Sequence, residues 1–221
     1  MAHAFGDVGV ATSMASLRAR FGRESWWGWF AEVETLNDEA PAVRVVDGPL
    51  VLAGDLVAGD DPWALIVDGS LTLGGTLECF TAHACTSALI VTGAVQAANL
   101  FYGGSARLGL GPTTVDGFVV GTWGDDGASL SVEGVLRARG LLLDSHTPAD
   151  AGAIAAIVMA AVGWRGLVPD VIDGETDLFV AEVLDRGGPF VDLAAVRAAA
   201  RAGRPVFVAE REAAWRARKR L

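Results

Sequence analysis

The sequence predicts a mainly β protein in which a parallel β-helix of about five degenerate coils is flanked by N-terminal and C-terminal helical segments. Three observations carry that expectation. Five segments share one frame: Val43–Leu52 (VRVVDGPLVL), Ala64–Leu73 (ALIVDGSLTL), Ala88–Ala97 (ALIVTGAVQA), Ala106–Val115 (ARLGLGPTTV) and Ser129–Ala138 (SLSVEGVLRA), the fourth matching poorly. Their shared glycines, Gly48, Gly69, Gly93, Gly111 and Gly134, follow one another at 21, 24, 18 and 23 residues, a loose period that tolerates loops of unequal length. Each segment is also an apolar run of strand length, a polar-glycine corner and an alternating run such as Leu71-Thr72-Leu73. Asp47-Gly48 and Asp68-Gly69 equally suit tight type I′ hairpins, which makes an antiparallel sandwich or meander the structural competitor. Recurrence of one motif in phase favours stacked identical corners.

In chain order, residues 1–42 form an N-terminal helical and aromatic cap. Met14–Phe21 is expected to be helical, with Leu17 and Phe21 one turn apart, and the cluster Trp26, Trp27, Trp29 and Phe30 reads as an apolar lid that plugs the first coil. Residues 43–147 form the rod. Stacking puts Leu65, Val67, Leu71, Leu73, Leu89, Val91 and Val95 into columns, each buried branched side chain contributing about 1.5–3 kcal/mol. At about 4.8 Å per coil the rod would run roughly 24 Å, and its ends would expose strand edges that proteins normally cover. Residues 148–221 are expected to be a helical C-terminal cap. Thr147, Pro148, Ala149 and Asp150 resemble a helix start, with a last β coil as the alternative over residues 148–162. Asp192–Arg201 reads as a helix stopped by Gly203 and Pro205, and Glu210–Leu221 as another, with a basic end at Arg216, Arg218, Lys219 and Arg220.

With 221 residues, 52% hydrophobic and 20% charged, the chain can bury a real core, and disorder is excluded. Lys219 is the one lysine among 17 basic residues, an arginine-rich usage typical of GC-rich bacterial genomes. A net charge of −10 argues against a nucleic-acid partner, because such affinity comes mainly from neutralising phosphates, and it favours a basic protein partner. The two cysteines, Cys79 and Cys85, suit thiols in a reducing compartment. Met1–Thr12 lacks the basic and apolar regions of a signal peptide, and the 12 apolar residues Ala151–Val162 are too few to cross a bilayer. A cytoplasmic protein with no membrane span is the expectation.

The frame Val-x-Gly-x-Leu-x-Ala-x-x-Leu, seen at Val91–Leu100 and Val132–Leu141, resembles bacterial polymer-forming cytoskeletal proteins of the bactofilin type over about residues 43–147. That resemblance implies a right-handed parallel β-helix, no cofactor and no active site, with coils stacking end to end into filaments. The flanks depart from the family pattern, since neither is a flexible Pro-rich tail. Helical flanks that capped the rod would block polymerisation and leave a discrete particle.

Chemical constellations are weak. Cys79, His83 and Cys85 offer three soft ligands, but a structural zinc site needs four, and His3 and His146 are distant, so thiols without metal are favoured. Asp144, Ser145 and His146 are adjacent on the chain and cannot align as a triad on a strand, so a turn is the better reading. Asp125 and Asp126, between Gly124 and Gly127, suit a solvated loop or a docking point for a cation or an arginine. Gly74-Gly75 and Gly103-Gly104 are turns, with no phosphate-loop lysine following. The six-residue periodicity of hexapeptide acyltransferases and related carbonic anhydrases is missing. No catalytic, cofactor or metal residue is therefore expected.

The residues singled out for partner binding are Trp26, Trp27, Trp29, Trp63, Tyr102, Trp123, Asp125 and Asp126, because aromatic anchors often carry interface energy; packing is the competing role. The leading functional expectation is a non-enzymatic protein-binding module, of the immunity type that neutralises a basic toxin such as a nuclease. A bactofilin-like scaffold that self-assembles comes second, and a β-helical enzyme or zinc protein third.

Overall fold

A computed structural model describes residues 1–37, 40–59, 61–81, 85–122, 128–144, 149–160, 176–185 and 191–219, with main chain alone at 160, 176 and 219. The repeats fold as a parallel β-solenoid of about five turns over residues 42–159. Its first four rungs are strand triplets: β3 (Ala42–Asp47), β4 (Leu50–Leu52) and β5 (Asp55–Val57); β6 (Trp63–Asp68), β7 (Leu71–Leu73) and β8 (Thr76–Cys79); β9 (Thr86–Val91), β10 (Val95–Ala97) and β11 (Asn99–Gly103); β12 (Ser105–Leu110), β13 (Thr113–Val115) and β14 (Phe118–Thr122). The last two rungs are long bent strands, β15 (Ser129–Leu143) and β16 (Ala149–Ala160), whose register shifts between Val132 and Val135 and between Arg137 and Gly140. Every inter-rung pairing is parallel, which gives three faces: β3-β6-β9-β12-β15, β4-β7-β10-β13-β15 and β5-β8-β11-β14-β15, with β16 beyond β15 on all three. The hairpin alternative is thereby removed.

Inward side chains stack as columns. Leu65, Leu89, Leu108 and Leu130 are register partners in succession, as are Val67, Val91, Leu110 and Val132, and Leu71 meets Val95. All of them lie in one continuous buried core. The corner glycines are required by close approach: an ideal Cβ at Gly69 would stand 2.6 Å from the Gly48 carbonyl carbon, at Gly93 2.7 Å from that of Gly69, and at Gly111 2.2 Å from the Gly93 oxygen. Gly48 and Gly134 add a second reason, with φ of +88° and +94°. The poor fourth repeat has a physical explanation. Its first corner is one residue shorter than that of the third rung, so β12 pairs with β9 at an offset of 19 residues, while β13 pairs with β10 at 18. Aligned on Gly111, its first strand is one residue out of phase, and a slip of one exchanges the two faces of a strand.

Polar groups at the other corners are satisfied between rungs. Asp55 accepts from the Thr76 amide at 2.7 Å, and the Asn99 carbonyl accepts from the Phe118 amide at 3.1 Å. The N-terminal segment closes the first rung. Strand β1 (Ala2–Ala4) adds in parallel to β5, β2 (Val10–Ala11) adds antiparallel to β3, and Phe5 and Val8 enter the solenoid core, Phe5 standing 4.6 Å edge-on to Trp63. The plug of the first coil is therefore Phe5 and Val8. Met14, Leu17, Phe21, Trp27, Phe30 and Val33, from helices α1 (Met14–Phe21) and α2 (Trp27–Thr35), instead clad the outside of the first face, against Val43, Ala64, Ile66, Ala88 and Ile90.

Ala149 and Asp150 begin strand β16 and not a helix; Thr147 and Pro148 lie outside the described residues. Alanine's helix preference loses to the continuing columns, in which Ala149, Ile154 and Val158 follow Leu130, Leu136 and Leu141. Helix α3 (Leu193–Arg201), capped by Asp192 accepting from the amides of Ala194 and Ala195 at 2.8 and 3.1 Å, and α4 (Ala209–Lys219) match the expected helices. They do not sit over the rod end. Val196, Val206, Phe207 and Trp215 pack on Phe101, Phe118, Val120, Leu142 and Ile157, the outward side of the third face. Among the described residues no helix is long and apolar enough to cross a membrane.

A candidate binding groove beside the helical cladding

The apolar runs decide where the cladding ends. β6 and β9 are buried on both faces, which needs a covering layer, whereas β12 alternates, with Arg107 and Gly109 turned outward. At that step the helices stop and leave a groove of about 530 Å³. One wall is Glu24, Ser25, Trp26 and Trp29; the other is Ile90–Thr92, Gly109–Gly111, Ser131 and Glu133. Gly109 makes room for an indole, because a Cβ there would stand 2.8 Å from Cζ2 of Trp29.

The helical wall is held from several sides. Trp26 has ring centroids of Phe21 and Phe30 at 5.6 and 5.7 Å. Arg107 pairs with Glu32 of α2, and Arg20 of α1 bridges Asp47 and Asp68 at successive corners. Past α2, Asn37 imitates a strand edge: its side-chain amide donates to the Thr86 carbonyl at 2.8 Å and its carbonyl accepts from the Thr86 N–H at 2.8 Å. A wall fixed in this way presents its aromatic surface without first having to order it, which lowers the entropic cost of binding.

The sequence-selected residues are divided by the fold. Trp26 and Trp29 are half-buried and share the groove. Trp27, Trp63 and Tyr102 are inside, 8%, 5% and 0% exposed, and burial raises the Tyr102 phenol well above its ordinary range. Trp123, Asp125 and Asp126 lie outside the described residues, as do His83, Ser145 and His146. Cys79 is fully buried, its thiol pushed up by desolvation, and Cys85 is half-buried. Glu24, Gly109, Ser131 and Glu133 were not singled out; the change from continuous apolar runs to alternation at β12 was the signal for them.

A second concavity, about 570 Å³ and open, lies between α4 and the fifth rung and includes Arg137, Arg139, Glu212 and Arg216. Its charges hold α4 in place: Glu212 accepts from Arg139 Nε at 2.9 Å and from Arg216 Nε at 3.1 Å, and Arg216 donates to the Arg139 carbonyl at 2.9 Å. Burial alone would raise the Glu212 carboxyl, but the two guanidinium bonds outweigh it and hold it below its ordinary value. Among the described residues no three His, Cys, Asp or Glu side chains gather where they could hold a metal. No protein-family model matches the chain, nor does any curated protein or solved structure, so the β-solenoid of about five turns is identified by its geometry and no family follows from it.

Proposed function

We propose that this protein is a non-catalytic protein-binding module that engages its partner at the Trp26–Trp29 groove. The observation that carries this reading is a pair of half-buried tryptophans, held by Phe21, Phe30 and the rungs beneath, in one groove that Glu24 and Glu133 also line. A net charge of −10 favours a basic partner, and the narrower form of the reading is an immunity-type protein that neutralises a basic toxin. The test is co-expression with the product of the adjacent gene, followed by surface plasmon resonance on wild type and Trp29→Ala. Binding lost in a variant that still folds supports the reading. Equal binding by both proteins removes the groove from the contact.

Self-assembly into a bactofilin-like scaffold is the second reading, favoured by one specific observation. The outer edge of β16 pairs with no strand among the described residues, and that strand carries a single charge, Asp150, and no proline. The described helices lie along the flanks, so they do not supply the end caps that would argue against stacking. Light scattering and negative-stain microscopy of the full chain separate the readings: filaments support the scaffold, and a concentration-independent monomer rejects it.

A further inference from the structure

Three arginines among the described residues are held in one way. Arg20 lies over the Phe21 ring at 4.6 Å and pairs with Asp47 and Asp68; Arg139 lies over Phe118 at 5.7 Å and pairs with Glu212; Arg201 lies over Phe101 at 5.4 Å and pairs with Glu78. Each time the guanidinium carbon lies over an aromatic ring while its N–H groups donate to a carboxylate. The groove holds the ring and carboxylate parts of this arrangement without the guanidinium. Its rings are indoles, the best of the aromatic partners for a cation. Glu24 and Glu133 are exposed and form no ion pair with any described residue.

We infer that the groove receives an arginine side chain of the protein partner, stacked on Trp26 and Trp29 and donating to Glu24 and Glu133. This rests on the partner-binding reading and gives it a chemical identity. Lysine fits less well, since an ammonium has no flat face to lay on an indole and no fork to share between carboxylates. The acidic surface also draws a basic segment toward the groove, an attraction that salt weakens.

The test uses the full-length protein and two blocked tripeptides, Gly-Arg-Gly and its citrulline counterpart, which keeps the shape and removes the charge. Indole N–H signals are followed by NMR. The expected result is a saturable shift of the Trp26 and Trp29 signals with the arginine peptide, in the millimolar range because single exposed contacts are weak. Citrulline should bind about tenfold more weakly, and Glu24→Gln with Glu133→Gln should reduce arginine binding by a similar factor at unchanged Tm. Equal response to arginine and citrulline, or an unaffected double variant, overturns the inference. If the arginine peptide gives no shift while the natural partner still requires Trp29, this inference fails and the partner reading survives. If the partner binds Trp29→Ala normally, the reading itself fails. Self-association of the wild type that Trp29→Ala abolishes would assign the arginine to a second copy and overturn a foreign partner.

Discussion

Replacing Gly93 by alanine tests the stacking of the solenoid at its tightest kind of contact. The added Cβ would stand 2.7 Å from the Gly69 carbonyl carbon, and 2.8 Å from both its oxygen and the Ser70 nitrogen. All three are backbone atoms, so no side chain can swing aside. Relief requires the rungs to part where the Gly93 amide donates to Gly69 at 2.9 Å and the Thr92 amide to Val67 at 3.1 Å. Overpacking costs about 1–3 kcal/mol, and weakening two backbone hydrogen bonds adds about 0.5–1.5 kcal/mol each, a loss of about 2–6 kcal/mol together. For a chain of this size that lowers Tm by roughly 4–24 °C. Two other glycines calibrate the result. Gly48 has open space but φ of +88°, so Gly48→Ala should cost about 1–2 kcal/mol from backbone strain alone. Gly28, helical and unobstructed, should tolerate alanine or gain up to about 1 kcal/mol. Calorimetry with far-UV circular dichroism reads all three. If Gly93→Ala melts within about 2 °C of wild type, at the scale just used, the rungs do not touch through this column and the frame is misassigned.

Three further outcomes are expected. Glu212→Gln should destabilise by about 1–3 kcal/mol at neutral pH, less than a fully buried pair because Arg139 is partly exposed. The depressed Glu212 carboxyl makes this contribution fully present above the unfolded value of about 4.3 and lost as pH falls through the lower folded value. Melting curves of the two proteins should therefore converge in acid, and a gap that persists there would contradict the assignment. Trp27→Ala should cost about 3–5 kcal/mol and half-buried Trp29→Ala clearly less, so the reverse order by denaturant titration would count against the placement of these side chains. Residues 43–147 expressed alone should aggregate and bind a hydrophobic dye, because the cut uncovers Ile66 and Ile90 on one face and Phe101, Phe118 and Val120 on another. A soluble, dye-negative rod would show that the cladding is dispensable.

Much of the fold was legible from side chains that repeat. Gly48, Gly69 and Gly93 marked the corners because a steric requirement leaves one residue type, and Asp192 marked the start of the helix it caps. β1 and β2 were not legible, since three-residue and two-residue strands have no periodicity to detect. The ending of the rod was misleading because Ala149–Ala160 is rich in alanine, whose local preference is overruled by stacking on β15. The placement of the helices was written more quietly, in the unbroken apolar runs of β6 and β9. Such runs report that both sides of a strand are covered without saying by what. The groove inherits this ambiguity: Trp26 and Trp29 stand out in the sequence, whereas Gly109 and Glu133 matter only once the edge of the cladding is known.

The three corners of the coil do not share the variation in its length. Between the first and second strands of rungs one to four lie two, two, three and two residues, and between the second and third two, two, one and two. From the third strand of each rung to the start of the next the chain takes five, six, one, six and five. One longitudinal seam thus absorbs nearly all change, while the other two fix the geometry. The strand registers continue across links of different length along that seam, and at Gly104 the one-residue link has φ of +66° and a Cβ would lie 2.3 Å from the Thr81 carbonyl. Change in the length of a coil is thus concentrated on one side of the rod, while the strands on all three faces keep their parallel partners from rung to rung.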